Sequence, residues 1–465
     1  MLFNSLPFAL LAAPTVVLGM VLRGRPRTWI LLLASWAFYA GGQPKWLLLL
    51  WFSTILDYLI GRALDTTPDE QAGKRKLLLA ASVIGNLGIL FAYKYLPFVL
   101  SLVGLGGFVP AAYEGGFHFL GGVPAGLSFY TFQTLSYTID VYRRKQSAIR
   151  NPVEFALFVA FFPQLIAGPV VRAAEFFPQL YNPKPTTEAR LWRAIELFAV
   201  GLFKKVVVAD NLGLLGDPLW SSPDTQSGPT LVIGALIFWG QIYADFSAYS
   251  TMARGLGTAF GFDLPRNFNF PLLADGPLAY RRSWHMTMSA WFRDYVFHPL
   301  GGSRVSAWRV AINIGIVWTL FGIWHGAGLT FLVWGLYNGV VQAGTREFYR
   351  RGYRIPDYPG KRVAGIALNL ALMLPSAIVF RSASLQDALT AIWAVLTLRG
   401  GGAVDSLTLG IVAVFAAMHV ASYRWYREDV LERSPWVVRL VLLTGLIWVV
   451  VFLGAKSRPF VYFQF

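Results

Sequence analysis

Residues 310–345 read VAINIGIVWTLFGIWHGAGLTFLVWGLYNGVVQAGT, 36 positions without Asp, Glu, Lys or Arg and with one histidine, His325. That length fits two short membrane-crossing helices meeting near the flexible Gly326-Ala327-Gly328. An ionisable group inside such a stretch is costly and marks function by default. The alternative for His325 is a packing histidine bonded to a neighbouring carbonyl.

Working outward, the rest of the chain has the same character. Of its 465 residues, 55% are hydrophobic and only 14% charged, against roughly a quarter charged in an average soluble domain. The mean hydropathy is +0.51, and a soluble chain this apolar would expose large greasy patches. Further charge-free runs span 77–93, 363–380, 406–423 and 440–455. The expected fold is all-α, a polytopic integral membrane protein forming one domain over 1–465. It has about 10–12 spanning helices, with re-entrant or interfacial helices around a central tunnel.

The net charge of +16 lies in short clusters between apolar runs, the pattern of membrane orientation rather than nucleic-acid binding. Arg23/Arg25/Arg27, Lys74/Arg75/Lys76, Arg143/Arg144/Lys145, Arg350/Arg351/Arg354 and Arg424/Arg427 are expected on the cytoplasmic side. Met1 to Leu22, apolar with its positive charge afterwards, reads as a retained first span with its N-terminus outside. The stretch 248–308 is amphipathic and interrupted by Pro265, Pro271, Pro277 and Pro299. Such backbone at membrane depth survives only inside protein or beside a watery cavity, so a functional cavity is expected nearby.

The motifs exclude several chemistries. There is no P-loop, no HExxH and no GxSxG elbow, and nothing suggests a metal site. The absence of Cys rules out disulfides and an acyl-cysteine intermediate. Five histidines are present. Burial would keep His325 neutral and able to accept a proton. His285 sits among alternating aromatic and charged residues, where a solvated interfacial histidine is an equal reading. Asp245, ending the apolar run 229–244, would orient an imidazole, pair with an Arg or simply face water. His118 and His419 read as structural.

Several segments together carry a resemblance. They are Gly126 to Gln133, Asp140 to Arg143, Phe161 to Pro169, Gly201 to Lys205, Asp245 to Ser250, Phe260 to Phe262 and Asn267 to Pro271. Trp284-His285 through Gly302, Trp324-His325-Gly326-Ala327 and Pro459 to Phe465 complete the set. In this order the chain resembles the membrane-bound O-acyltransferase family, in particular its alginate-acetylating branch. The resemblance implies that His325 is catalytic and that His285 is the second family histidine. Asp245, Trp324, Trp284, Arg282, Asn267 and Asn338 would bind substrate or support these two. Where relatives often have two Arg before Trp-His, this chain has Arg282-Ser283; it also has Asn338 for a common His and His298 for an aliphatic residue.

The implied function is acetyl transfer to hydroxyls of an extracytoplasmic, alginate-like polysaccharide, in the bacterial inner membrane. No cofactor would be bound permanently, and acetyl-CoA is the implied donor. The implied partners are a periplasmic SGNH-type acetyltransferase or esterase-like protein, a polysaccharide synthase complex, the polysaccharide acceptor and membrane lipid, with no nucleic acid. Peptidoglycan O-acetylation, D-alanyl transfer to teichoic acid and a non-catalytic export subunit remain as alternatives.

Overall fold

A computed structural model describes residues 1–42, 44–105, 123–220, 222–353, 357, 359–400, 404–425, 434–455 and 458–461. His118, Arg354, Arg427 and Tyr462 to Phe465 lie outside the described residues. Every extended regular element among those described is helical. Among the described residues, seven helices are long and apolar enough to cross a membrane by length and composition: Pro44–Thr66, Ala72–Leu102, Gly228–Ala259, Ala307–His325, Lys361–Arg381, Ser406–Tyr423 and Trp436–Leu453. The four charge-free runs bounded in the sequence each fall on one of them. The count is below ten because several helices fail on length or charge. Leu6–Val21 has 16 residues and Gly24–Ala40 has 17, while Leu329–Arg350 is made less apolar by Asn338, Gln342 and the charges of its last turn.

The chain divides into two compact units, Met1–Phe198 with Tyr249–Pro265, and Ala199–Ala248 with Arg266–Phe465. The first contains α1 (Leu6–Val21), α2 (Gly24–Ala40), α3 (Leu47–Thr66), α4 (Ala72–Leu90), α5 (Leu127–Tyr142), α6 (Pro152–Ala160) and α7 (Ala173–Tyr181). Helices α3, α4 and α5 pack around a fully buried carboxylate. Asp57 Oδ1 accepts from Ser82 Oγ at 2.5 Å and Thr138 Oγ1 at 3.1 Å, and Oδ2 accepts from Asn86 Nδ2 at 2.8 Å.

Two of the resemblance motifs have a structural task in this unit. The chain bends at Phe161 and Phe162 N donates to Ser35 Oγ at 3.1 Å, so the Phe158 carbonyl loses its helical donor. Gln133 Nε2 and Gln164 Nε2 supply that carbonyl instead, at 2.6 and 2.9 Å. Gly126, at φ +80°, is required because a Cβ there would lie 2.6 Å from the Leu165 carbonyl oxygen. At one end of the unit, Arg75 donates to Leu64 O, Thr67 O and Tyr142 O. Arg144 donates to Thr67 O and Asp69. The clusters 74–76 and 143–145 therefore meet, as two loops on one side of a membrane must.

Helix α8 (Glu188–Phe203) leads into the second unit, which holds α9 (Asp210–Trp220) and the first part of α10 (Gly228–Ala259). The stretch 248–308 begins as continuous α10 and turns irregular only after Ala259. It then forms two short helices, α11 (Pro277–Ser283) and α12 (Met286–Phe292), as expected for interfacial or re-entrant elements. Next come α13 (Ala307–His325), α14 (Leu329–Arg350), α15 (Lys361–Arg381), α16 (Leu385–Leu396), α17 (Ser406–Trp425) and α18 (Trp436–Leu453).

Helices α13 and α14 form the hairpin read from residues 310–345. Their backbones touch through small residues, as membrane helices do. A Cβ on Gly322 would lie 2.3 Å from Phe331 O, and one on Gly335 would lie 2.5 Å from Trp318 O. Gln342 of α14 donates to Pro277 O at 2.8 Å and so holds the start of α11 against the hairpin.

Candidate active site

His325 is the last residue of α13 and is 4% exposed. Four rings surround its imidazole: Trp324 at 4.7 Å, Phe321 at 5.0 Å, Trp334 at 5.1 Å and Phe380 at 5.2 Å between centroids. A cavity of about 50 Å³ opens beside it, walled by Trp239, Tyr280, Trp284, Trp318, Trp334, Asn338, Ser376 and Phe380 among others. One water occupies roughly 10–15 Å³ on this scale, so the space takes a group of a few heavy atoms and not an extended acyl chain.

The polar groups on the wall are few and held. Asn338 Nδ2 donates to Trp334 O at 2.8 Å and to Ser376 Oγ at 3.0 Å. Tyr280 OH accepts from Trp239 Nε1 at 3.1 Å, and its ring stacks on Trp284 at 5.6 Å. Trp318 Nε1 is buried with no hydrogen-bond partner. Trp284 and Asn338, two of the supporting residues named from the resemblance, line this cavity.

His285 occupies a different position. It is fully buried between α11 and α12, at φ +42°. It lies outside the cavity wall and packs on Phe246 at 4.6 Å and on Trp324 at 5.6 Å. Trp324 therefore touches both imidazoles, and His285 stands one aromatic layer behind His325. Its Nδ1 is 3.2 Å from Asn267 Oδ1, which also accepts from Thr287 N and Oγ1. Asn267 O accepts from Met286 N at 2.8 Å, so Asn267 fixes the loop that carries His285. Burial drives the His285 pKa down to about 3, leaving it neutral. The solvated interfacial histidine is ruled out by this burial.

Two expectations need correction. Among the described residues, Asp245 bonds to no imidazole and no Arg, and it does not face water. It is 1% exposed within α10; its Oδ1 pairs with Lys205 Nζ at 3.0 Å and its Oδ2 accepts from Val461 N at 2.7 Å. Lys205 also pairs with Asp210 at 2.8 Å. Asp245 was misread because an acid ending an apolar run looks like a helix end, whereas α10 continues for fourteen further residues to Ala259. Arg282 is exposed on α11, away from the cavity wall. Its neighbour Arg281 turns inward, over the Trp318 ring at 5.9 Å. Burial and the nearby Arg293 and Arg346 push its pKa down. Tyr280, Trp334, Ser376 and Phe380 were not singled out in the sequence. Ser376 carried a signal, as a hydroxyl next to Pro375 within an apolar run.

An aromatic cage around a histidine at the tip of a transmembrane hairpin, with an adjoining acyl-sized cavity, defines a class of membrane enzyme site. The sequence model of the membrane-bound O-acyltransferase family matches residues 38–381, and the chain belongs to that family. The probable alginate O-acetylase AlgI of Pseudomonas aeruginosa is 37% identical over 350 residues, 73% of this chain and 65% of that protein. The probable alginate O-acetylase AlgI of Azotobacter vinelandii is 35% identical over 400 residues, covering 83% and 76%. The peptidoglycan O-acetyltransferase of Helicobacter pylori is 32% identical over 408 residues, covering 81% and 74%.

Proposed function

We propose that this chain transfers acetyl groups from a cytoplasmic thioester, acetyl-CoA, towards hydroxyls of an extracytoplasmic alginate-like polysaccharide. The observation that carries the proposal is His325, the one histidine on the wall of a cavity of acetyl size and the wall's available base near neutral pH. A thioester is already activated, so the reaction needs a base for the hydroxyl and a donor for the oxyanion. A ring nitrogen of His325 takes the hydroxyl proton as the oxygen attacks the thioester carbonyl. The tetrahedral intermediate collapses with loss of the thiolate, which takes the proton back from the imidazolium. Trp318 Nε1, on the same wall, is the donor available for the oxyanion. His285 and Asn267 are positioning residues that hold Trp324 and, through it, His325.

The setting proposed is the bacterial inner membrane with the N-terminus outside. The proposed partners are a periplasmic SGNH-type protein and a polysaccharide synthase complex, because the described residues include no large soluble insertion to hold a polymer. Polymer-bound acetyl at matched membrane levels is the test. His325→Ala and His325→Gln should each lose about 10²–10⁴ in rate, since neither accepts the proton. His285→Asn should also be severely impaired but keep the wild-type pH profile, because His285 is neutral throughout the working range. Near-normal acetylation by His325→Ala would overturn the assignment and favour an export subunit.

A further inference from the structure

The first unit carries a second hollow, far simpler in chemistry than an active site. A trough of about 320 Å³ is lined by Trp29, Leu32 and Trp36 of α2, Trp51, Ile55 and Tyr58 of α3, and α6 residues including Val153. It is apolar throughout. Its two hydroxyl groups are occupied, Thr54 Oγ1 by Leu50 O and Tyr58 OH by Arg150 O, both at 2.6 Å. Trp36 and Trp51 meet edge to face at 5.5 Å. Seven residues back along α2 and seven forward along α3, about 10 Å away, Trp29 and Tyr58 line the same trough.

Trp29 and Val153 also border a neighbouring, wider hollow of about 680 Å³, lined in addition by Arg23, Arg25, Arg27 and Glu154. The charges there do not cancel. Glu154 is occupied on both oxygens, by Asn151 Nδ2 and Tyr181 OH at 3.0 Å each. Arg27 is buried and donates to Gly19 O and Phe260 O. Arg23 and Arg25 are exposed, and neither has a carboxylate partner among the described residues. Arg23 donates only to Met20 O and Leu22 O at the end of α1.

We propose that these neighbouring hollows together bind one anionic phospholipid, its phosphate on Arg23 and Arg25 and an acyl chain in the Trp29–Trp36–Trp51 trough. A basic mouth beside an apolar groove between helices matches both ends of such a lipid. Neither a soluble anion nor a zwitterionic lipid matches both. The site lies in the unit that does not contain His325, so it stands or falls apart from the acetyl-transfer reading.

The test uses the purified, delipidated full-length chain in detergent, with native mass spectrometry and thermal unfolding as readouts. Dioleoyl phosphatidylglycerol should bind as a discrete adduct and raise the unfolding temperature. Dioleoyl phosphatidylcholine, inorganic phosphate and dihexanoyl phosphatidylglycerol should each do so much less. The double variant Arg23→Gln/Arg25→Gln should weaken phosphatidylglycerol about 30-fold, which is about 2 kcal/mol at ~1 kcal/mol per arginine. Equal binding of phosphatidylcholine, or unchanged affinity in the double variant, would overturn the headgroup assignment. Equal binding of the six-carbon lipid would remove the trough from the site.

Discussion

Asp57 accepts three hydrogen bonds from neutral side chains, and no Lys, Arg or His of the described residues lies within ion-pair distance of it. A carboxylate so placed holds its neighbours more by geometry than by charge. Asp57→Asn should therefore cost about 1–2 kcal/mol, because a flipped Asn86 amide can accept from the new side chain but gives up its bond to Ser82 O. Asp57→Ala leaves Ser82, Asn86 and Thr138 facing a void and should cost roughly 2–4 kcal/mol. Unfolding in detergent distinguishes the two; equal losses would mean the charge itself is needed. At this scale the sequence was legible where contrast is high. His325 stands alone in 36 residues without charge and declares itself. Asp245 and Arg282 did not, because whether a charge turns inward depends on partners up to 216 residues away.

The hairpin of α13 and α14 was legible as an element, since its length and central glycines fix both helices. What the sequence could not show is how close they come. Gly322→Val would drive a side chain into the Phe331 carbonyl, 2.3 Å from the Cβ position. We expect a loss of about 1–3 kcal/mol together with loss of acetyl transfer, as the cage around His325 opens. Gly315→Ala on the same helix meets nothing within 4 Å and should leave both unchanged or slightly raise stability. Comparable damage from both variants would overturn the backbone-approach argument, since Ala is the better helix former and nothing crowds position 315. The short helices α11 and α12 were legible only as an irregular region, because prolines mark where helices stop without saying what their side chains face.

For the whole molecule, the all-helical membrane fold followed from composition and run length. The number of spans did not, since helices of 16 or 17 residues lie at the limit for crossing ~30 Å. Orientation is testable because the chain contains no cysteine. With the N-terminus outside, Lys45→Cys should react with an impermeant thiol reagent in intact cells, whereas Lys76→Cys and Arg351→Cys should be protected. The opposite labelling would invert the topology. Arg75 is unsuited to this experiment, being buried and bonded to three carbonyls. The same burial shows that one member of a basic cluster can be structural while its neighbours set orientation.

The bond from Val461 N to Asp245 has a consequence in time. Beside it, Phe460 lies against Phe246 at 5.6 Å, and Phe246 packs on His285. Val461 is synthesised 216 residues after Asp245. At roughly 5–20 residues per second, that is a wait of about 10–40 s. During that interval α10 is already made, yet Asp245 lacks its amide donor and Phe246 lacks its outer neighbour. The packing behind His285 is thus unfinished until residues 460 and 461 have been made.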